Sequence, residues 1–160
     1  MRKVEQEMNA QRNEVEIKSV CDAIRQTAYQ VHRYFGTGFL EKVYENALKH
    51  RLEKLGLDVK AQVGMVVHDE DDWAVGHYDA DLIVAGKIIV ELKAVKALNT
   101  AHEAQLMNYL KTTGIQDGML INFGSEKFEC IKRVNSVSAY QPHFIVEEKD
   151  GRCEGGACGG

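Results

Sequence analysis

The segment from Tyr78 to Val95, YDADLIVAGKIIVELKAV, constrains this chain more than any other. Val, Ile and Leu crowd both halves and Gly86 lies between them, the pattern of two strands joined by a tight turn. Side chains alternate across a strand, so Ile88, Val90 and Leu92 share one apolar face while Glu91 and Lys93 share the other. A carboxylate and an ammonium in so apolar a strand are costly without partners. Asp81, on the preceding strand, is the partner of interest. A three-residue loop with a positive φ at Gly86 puts Asp81 on the face of Glu91; a two-residue loop turns it away. Two carboxylates on adjacent strands make a hard oxygen site that suits Mg²⁺ or Mn²⁺. A cation there polarises a phosphodiester and lowers the pKa of bound water, and Lys93 stands beside the charge that develops. The short pattern Asp…Glu-x-Lys is also that of a salt-bridged strand face, and alone it does not decide.

The rest of the chain supplies layers for this hairpin. Ile17, Val20, Cys21, Ile24, Ala28, Val31 and Phe35 recur at three- and four-residue steps, an amphipathic helix that Gly36 ends. A second helix is predicted from about Phe39 to Leu55, stopped by Gly56. Val59, Ala61, Val63, Met65 and Val67 then alternate as a strand, and the acidic run Asp69 to Asp72 reads as a turn. After the hairpin, Thr100 and Glu103 have capping-box spacing before a helix with Leu106, Met107 and Leu110, which Gly114 ends. Gly118 to Phe123 and Phe128 to Val134 read as two more strands.

With 160 residues, one domain is expected over residues 14–140, with a flexible segment at 1–13 and a Gly-rich flexible tail at 141–160. No apolar run approaches the ~20 residues that span a bilayer, and the N-terminus has no signal-peptide core, so a cytoplasmic location and no membrane partner are expected. Cys21 and Cys130 read as buried thiols, and Cys153 and Cys158 as part of a loose tail. No zinc spacing and no GxxxxGK[ST] loop occurs, which excludes a zinc site of that kind and P-loop ATP chemistry. Gly36-x-Gly38 lacks the third glycine of a dinucleotide fingerprint, because Glu41 stands there. The formal net charge of −4 argues against a general nucleic-acid coat protein, although residues 87–133 carry seven basic against five acidic side chains.

Several motifs in order make the segment more specific. Gly38-x-x-Glu41-x-x-Tyr44 is followed by DLIV with Asp81, VELKAV with Glu91 and Lys93, HEAQLMNYL with Gln105 and Tyr109, and LINFG. On these residues, from about His32 to Asn135, the chain resembles the GxxExxY proteins, a family of the PD-(D/E)XK nuclease superfamily. Ala80 stands where the superfamily name suggests proline. The resemblance implies an α/β fold with a restriction-endonuclease-like core, a central mixed sheet flanked by helices in αβββαβ order. It implies metal-dependent hydrolysis of phosphodiester bonds in nucleic acid, DNA foremost, with Mg²⁺ or Mn²⁺ as cofactor. Asp81, Glu91 and Glu41 match metal-binding carboxylates and Lys93 the catalytic lysine. Gln105 and Tyr109 resemble the QxxxY motif of RecB-like members, which with Tyr44 orients site or substrate. A non-enzymatic module binding nucleic acid or protein is the alternative on the same fold. A homodimer is compatible with either. From the residues alone, Glu41 also reads as a helix-end acid that offsets the dipole, and Gln105 and Tyr109 read as an exposed polar and a half-buried aromatic residue. His32, a lone histidine on a helix, reads as structural.

Overall fold

A computed structural model of the chain describes residues 1–136 and the backbone of residues 144–148. The elements run α1 (Arg2–Phe35), α2 (Glu41–Lys54), β1 (Val59–His68), β2 (Ala74–Val84), β3 (Ile88–Lys93), α3 (Thr100–Thr113), β4 (Asp117–Asn122), β5 (Glu129–Val134) and β6 (Phe144–Glu148). The strands form one mixed sheet in the order β5-β4-β3-β2-β1-β6. Only β3 and β4 are parallel, joined through α3; every other neighbouring pair is antiparallel. The fold is that expected, with the helices in two layers. On one face, Val20, Ile24, Ala28 and Val31 of α1 and Tyr44, Leu48 and Leu52 of α2 meet Ile88, Val90 and Leu92. On the other, Leu106, Tyr109 and Leu110 of α3 meet Val63, Met65, Ile83, Ile89 and Leu120. Each buried Leu or Ile contributes about 1.5–3 kcal/mol, and these two cores hold the sheet on which the carboxylates sit. No helix among the described residues is long and apolar enough to cross a membrane.

Four features differ from the sequence reading. The segment 1–13, expected to be loose, continues α1 back to Arg2. Its residues are exposed, and its Glu, Gln, Arg and Met content favours helix without any core contact. The α3 cap lies one residue earlier than expected. The Asn99 side chain accepts from the His102 amide at 3.0 Å and the His102 ring accepts from the Asn99 amide at 3.2 Å. Thr100 is already inside the helix, and Glu103 instead accepts from Arg133 at 2.6 Å. Within the expected tail, residues 144–148 form β6 on the outer edge of β1; Cys153 and Cys158 lie outside the described residues.

The fourth difference is a change of face inside β1. Val59 and Ala61 pack in the α1–α2 layer with Leu82 and Val84, whereas Val63 and Met65 pack in the α3 layer with Ala80. The register does not shift at this point, since Ala61 pairs with Leu82 and Val63 with Ala80. The turnover falls at Gln62, whose φ is 52°. A left-handed backbone costs a non-glycine residue about 1–2 kcal/mol, and here it rotates the rest of β1 onto the opposite layer.

Candidate active site

The β2–β3 hairpin satisfies the demand that the sequence makes of it. Leu82 pairs with Val90, Ile83 with Ile89 and Val84 with Ile88, leaving Ala85, Gly86 and Lys87 as a three-residue loop. Gly86 has φ 63° as expected, and Ala85 joins it at 54°. Asp81 therefore comes opposite Glu91. There the ladder hands over to side chains. The Asp81 amide donates to Glu91 Oε1 at 3.2 Å, and the Leu92 amide donates to Asp81 Oδ2 at 2.8 Å. Each carboxylate thus accepts from the other's strand.

Burial sets the electrostatics. Glu91 is 2% exposed. Loss of water, and then the charge of Asp81, push its carboxyl up to about 9. Glu41 opens α2 at its first residue, where the helix dipole by itself would hold a carboxylate down. Its pKa is instead raised, by burial first and by Asp81 second, with Lys93 opposing. Glu41 therefore feels Asp81 and Lys93 across the gap between α2 and the sheet.

On the same side, the Lys93 ammonium donates to Gln105 Oε1 at 3.0 Å, and the Gln105 amide donates to Tyr109 Oη at 3.0 Å. Gln105 and Tyr109 stand four residues apart on α3, so one helical face carries both. Tyr109 is 4% exposed, its ring meets Tyr78 edge to face at 5.9 Å, and burial followed by Glu91 pushes its hydroxyl up to about 12. Both residues thus face the carboxylates rather than bulk solvent. A further chain of contacts links Asp81 to α2: the Gln62 amide donates to Asp81 Oδ1 at 3.4 Å and to Glu45 Oε2 at 2.9 Å.

Tyr44 is placed differently. It is fully buried, stacked on Phe123 with ring centroids 4.7 Å apart. Its hydroxyl donates to the Gly36 carbonyl at 2.7 Å and accepts from the Phe39 amide at 3.2 Å. It pins the α1–α2 turn that delivers Glu41. His32 is structural, its ring bonded to the Ser125 carbonyl at 2.8 Å. Asp79 meets His77 at 3.3 Å.

Two residues that matter here were not singled out from the sequence. Asn122 is fully buried; its Oδ1 accepts from the Val95 and Gly124 amides at 3.1 and 3.0 Å, and its Nδ2 donates to the Val95 carbonyl at 2.9 Å. It clamps the chain as it leaves Lys93, and a lone Asn in the apolar run LINF was the available signal. Gln62 had no such signal.

Among the described residues, no group of three or more His, Cys, Asp and Glu side chains stands as a ready ligand cage. The donor set nonetheless fits a divalent cation that keeps most of its waters, because Mg²⁺ asks a protein for only one or two carboxylates. A buried Glu91 beside Asp81 is what such a charge would relieve. A cavity of about 500 Å³ lies elsewhere, between the end of α1 and the β4–β5 turn, lined by Tyr29, His32, Arg33, Gly36, Thr37 and Phe128 among others. A model of the PD-(D/E)XK nuclease superfamily matches residues 18–134. No curated protein and no solved structure gives a significant match.

Proposed function

Because the chain belongs to the PD-(D/E)XK nuclease superfamily, we propose that it is a metal-dependent nuclease that hydrolyses phosphodiester bonds in nucleic acid, DNA foremost, with Asp81, Glu91 and Lys93 at its centre. The observation that carries this reading is the exchange between Asp81 and Glu91, two carboxylates held face to face with one of them buried. Asp81 and Glu91 would hold Mg²⁺ or Mn²⁺, with Glu41 as a third carboxylate. When bound, such a cation activates water and offsets charge on the phosphodiester oxygens.

The chain's own residues orient and stabilise. Gln105 holds the Lys93 ammonium at 3.0 Å, so its positive charge is fixed before substrate arrives. Charge grows on phosphate oxygens as the reaction proceeds, so the attraction of Lys93 strengthens toward the transition state and accelerates turnover more than binding. Tyr109 keeps its proton at neutral pH and keeps Gln105 in place. Within the superfamily, Gly38-x-x-Glu41-x-x-Tyr44 and the Gln105–Tyr109 pair support a place among the GxxExxY proteins with RecB-like features.

The test is cleavage of plasmid and single-stranded DNA with Mg²⁺ or Mn²⁺ and with chelator. Cleavage that needs the cation is expected. Lys93→Met should lose at least ~100-fold in rate, the scale of one electrostatic stabiliser, while Mn²⁺ still binds. Wild-type protein that cuts neither DNA nor RNA with any divalent cation would hand the fold to the binding-module alternative.

A further inference from the structure

Gln62 stands in the middle of β1 with a left-handed φ of 52°. Among the described residues, the other two non-glycine residues with positive φ, Asp72 and Ala85, lie in turns, where such a backbone is ordinary. In a strand a glutamine holds it only where its surroundings impose it. β1 and β2 pair on either side, Ala61 with Leu82 and Val63 with Ala80, so Gln62 stands opposite Asp81. Its side-chain amide reaches two carboxylates, Glu45 Oε2 at 2.9 Å and Asp81 Oδ1 at 3.4 Å. Glu45 is 3% exposed, and its other oxygen accepts from Lys42 at 2.8 Å.

We propose that Gln62 is a positioning residue for the Asp81 carboxylate, braced from α2 by Glu45. The left-handed turn brings its amide between the two acids, so that Gln62 steadies Asp81 Oδ1 while the Leu92 amide holds Oδ2. The chemistry of the group fits the task. A glutamine amide has two N–H donors, one for each carboxylate, and carries no charge. An ammonium or guanidinium in its place would neutralise Asp81 and compete with a cation. Backbone geometry by itself would favour glycine or asparagine at this φ. This role rests on the metal-site reading of Asp81 and Glu91.

Calorimetric titration of the full chain with Mn²⁺, beside thermal melts, tests it. Gln62→Gly removes both the backbone strain and the amide. It is expected to melt at or above the wild-type temperature and to bind Mn²⁺ about tenfold or more weakly, the loss seen when support behind a metal ligand is removed. Gln62→Asn keeps an amide and tolerates the backbone but is one methylene short, and is expected to bind as weakly. If the turn were all that mattered, both variants would bind as wild type does. A folded Gln62→Gly or Gln62→Asn protein with wild-type Mn²⁺ affinity overturns the positioning role alone. Equal binding by wild type and an Asp81→Ala, Glu91→Ala double variant overturns the metal site, and this role with it.

Discussion

Glu91 places a carboxylate where water cannot reach it and where Asp81 repels its charge. Its folded-state pKa of about 9, against an ordinary 4.5, means that the folded protein keeps a proton that the unfolded chain has already released across that window. A pKa raised by folding favours the fold fully below the unfolded value and loses that advantage as pH climbs through the folded one. Without cations, Glu91 therefore weakens the fold increasingly between pH 4.5 and about 9. Glu91→Gln, which keeps the shape and drops the charge, should melt above wild type at pH 8 in chelator, with the gap closing toward pH 5. Mn²⁺ at pH 8 should then raise the melting temperature of the wild type and leave the variant unmoved. A gap that is the same at both pH values would show that ionisation of Glu91 is not its cause.

Elements bring these residues together, and α3 is the element whose seat can be tested. It lies over Gly118 of β4, where a Cβ would come within 2.8 Å of Leu106 and 3.1 Å of Leu110. Both contacts are with leucine methyls, which can shift but sit in a filled core. Gly118→Ala should cost ~1–3 kcal/mol in chemical denaturation, as overpacking does. It should also slow cleavage, because lifting α3 draws Gln105 from Lys93. A variant as stable as wild type would mean that α3 has slack over the sheet. Periodicity carried this much of the architecture into view: the α1 and α2 stripes, the hairpin and the apolar run of β4 are local patterns. The pairing of Asp81 with Glu91 was legible only as a condition, because loop length fixes parity across a hairpin and the sequence left two- and three-residue loops open; the structure has three. Gln62 was not, since the two carboxylates that its amide reaches, Glu45 and Asp81, are brought to it from elsewhere in the chain. The α3 cap was misread by one residue because Asn99 with His102 and Thr100 with Glu103 offer the same spacing, and Arg133, far along the chain, claims Glu103.

At the scale of the molecule, the site depends on a sheet that has to be ended safely. Its middle is closed by helices on both faces, but β1 and β5 reach the flanks. β5 is one outer strand; β1 would be the other without β6, which pairs along Val63 to Val67. No pattern in the sequence announces β6, because an edge strand is defined by the neighbour it completes more than by its own alternation. Its consequence can be measured. A chain ending at Ser136 would leave the amides and carbonyls of β1 unpaired along that stretch, and an uncovered strand edge is a template for pairing with another chain. The truncated protein is expected to melt lower and to associate with rising concentration in light scattering. The Asp81–Glu91 exchange lies on β2 and β3, inside the sheet, so Mn²⁺ binding should persist in the monomeric fraction. A truncated protein that stays monomeric and melts with the full chain would show that β1 needs no cover. Loss of Mn²⁺ binding together with a lowered melt would place the support of Asp81 partly in β6, reached through β1 and Gln62.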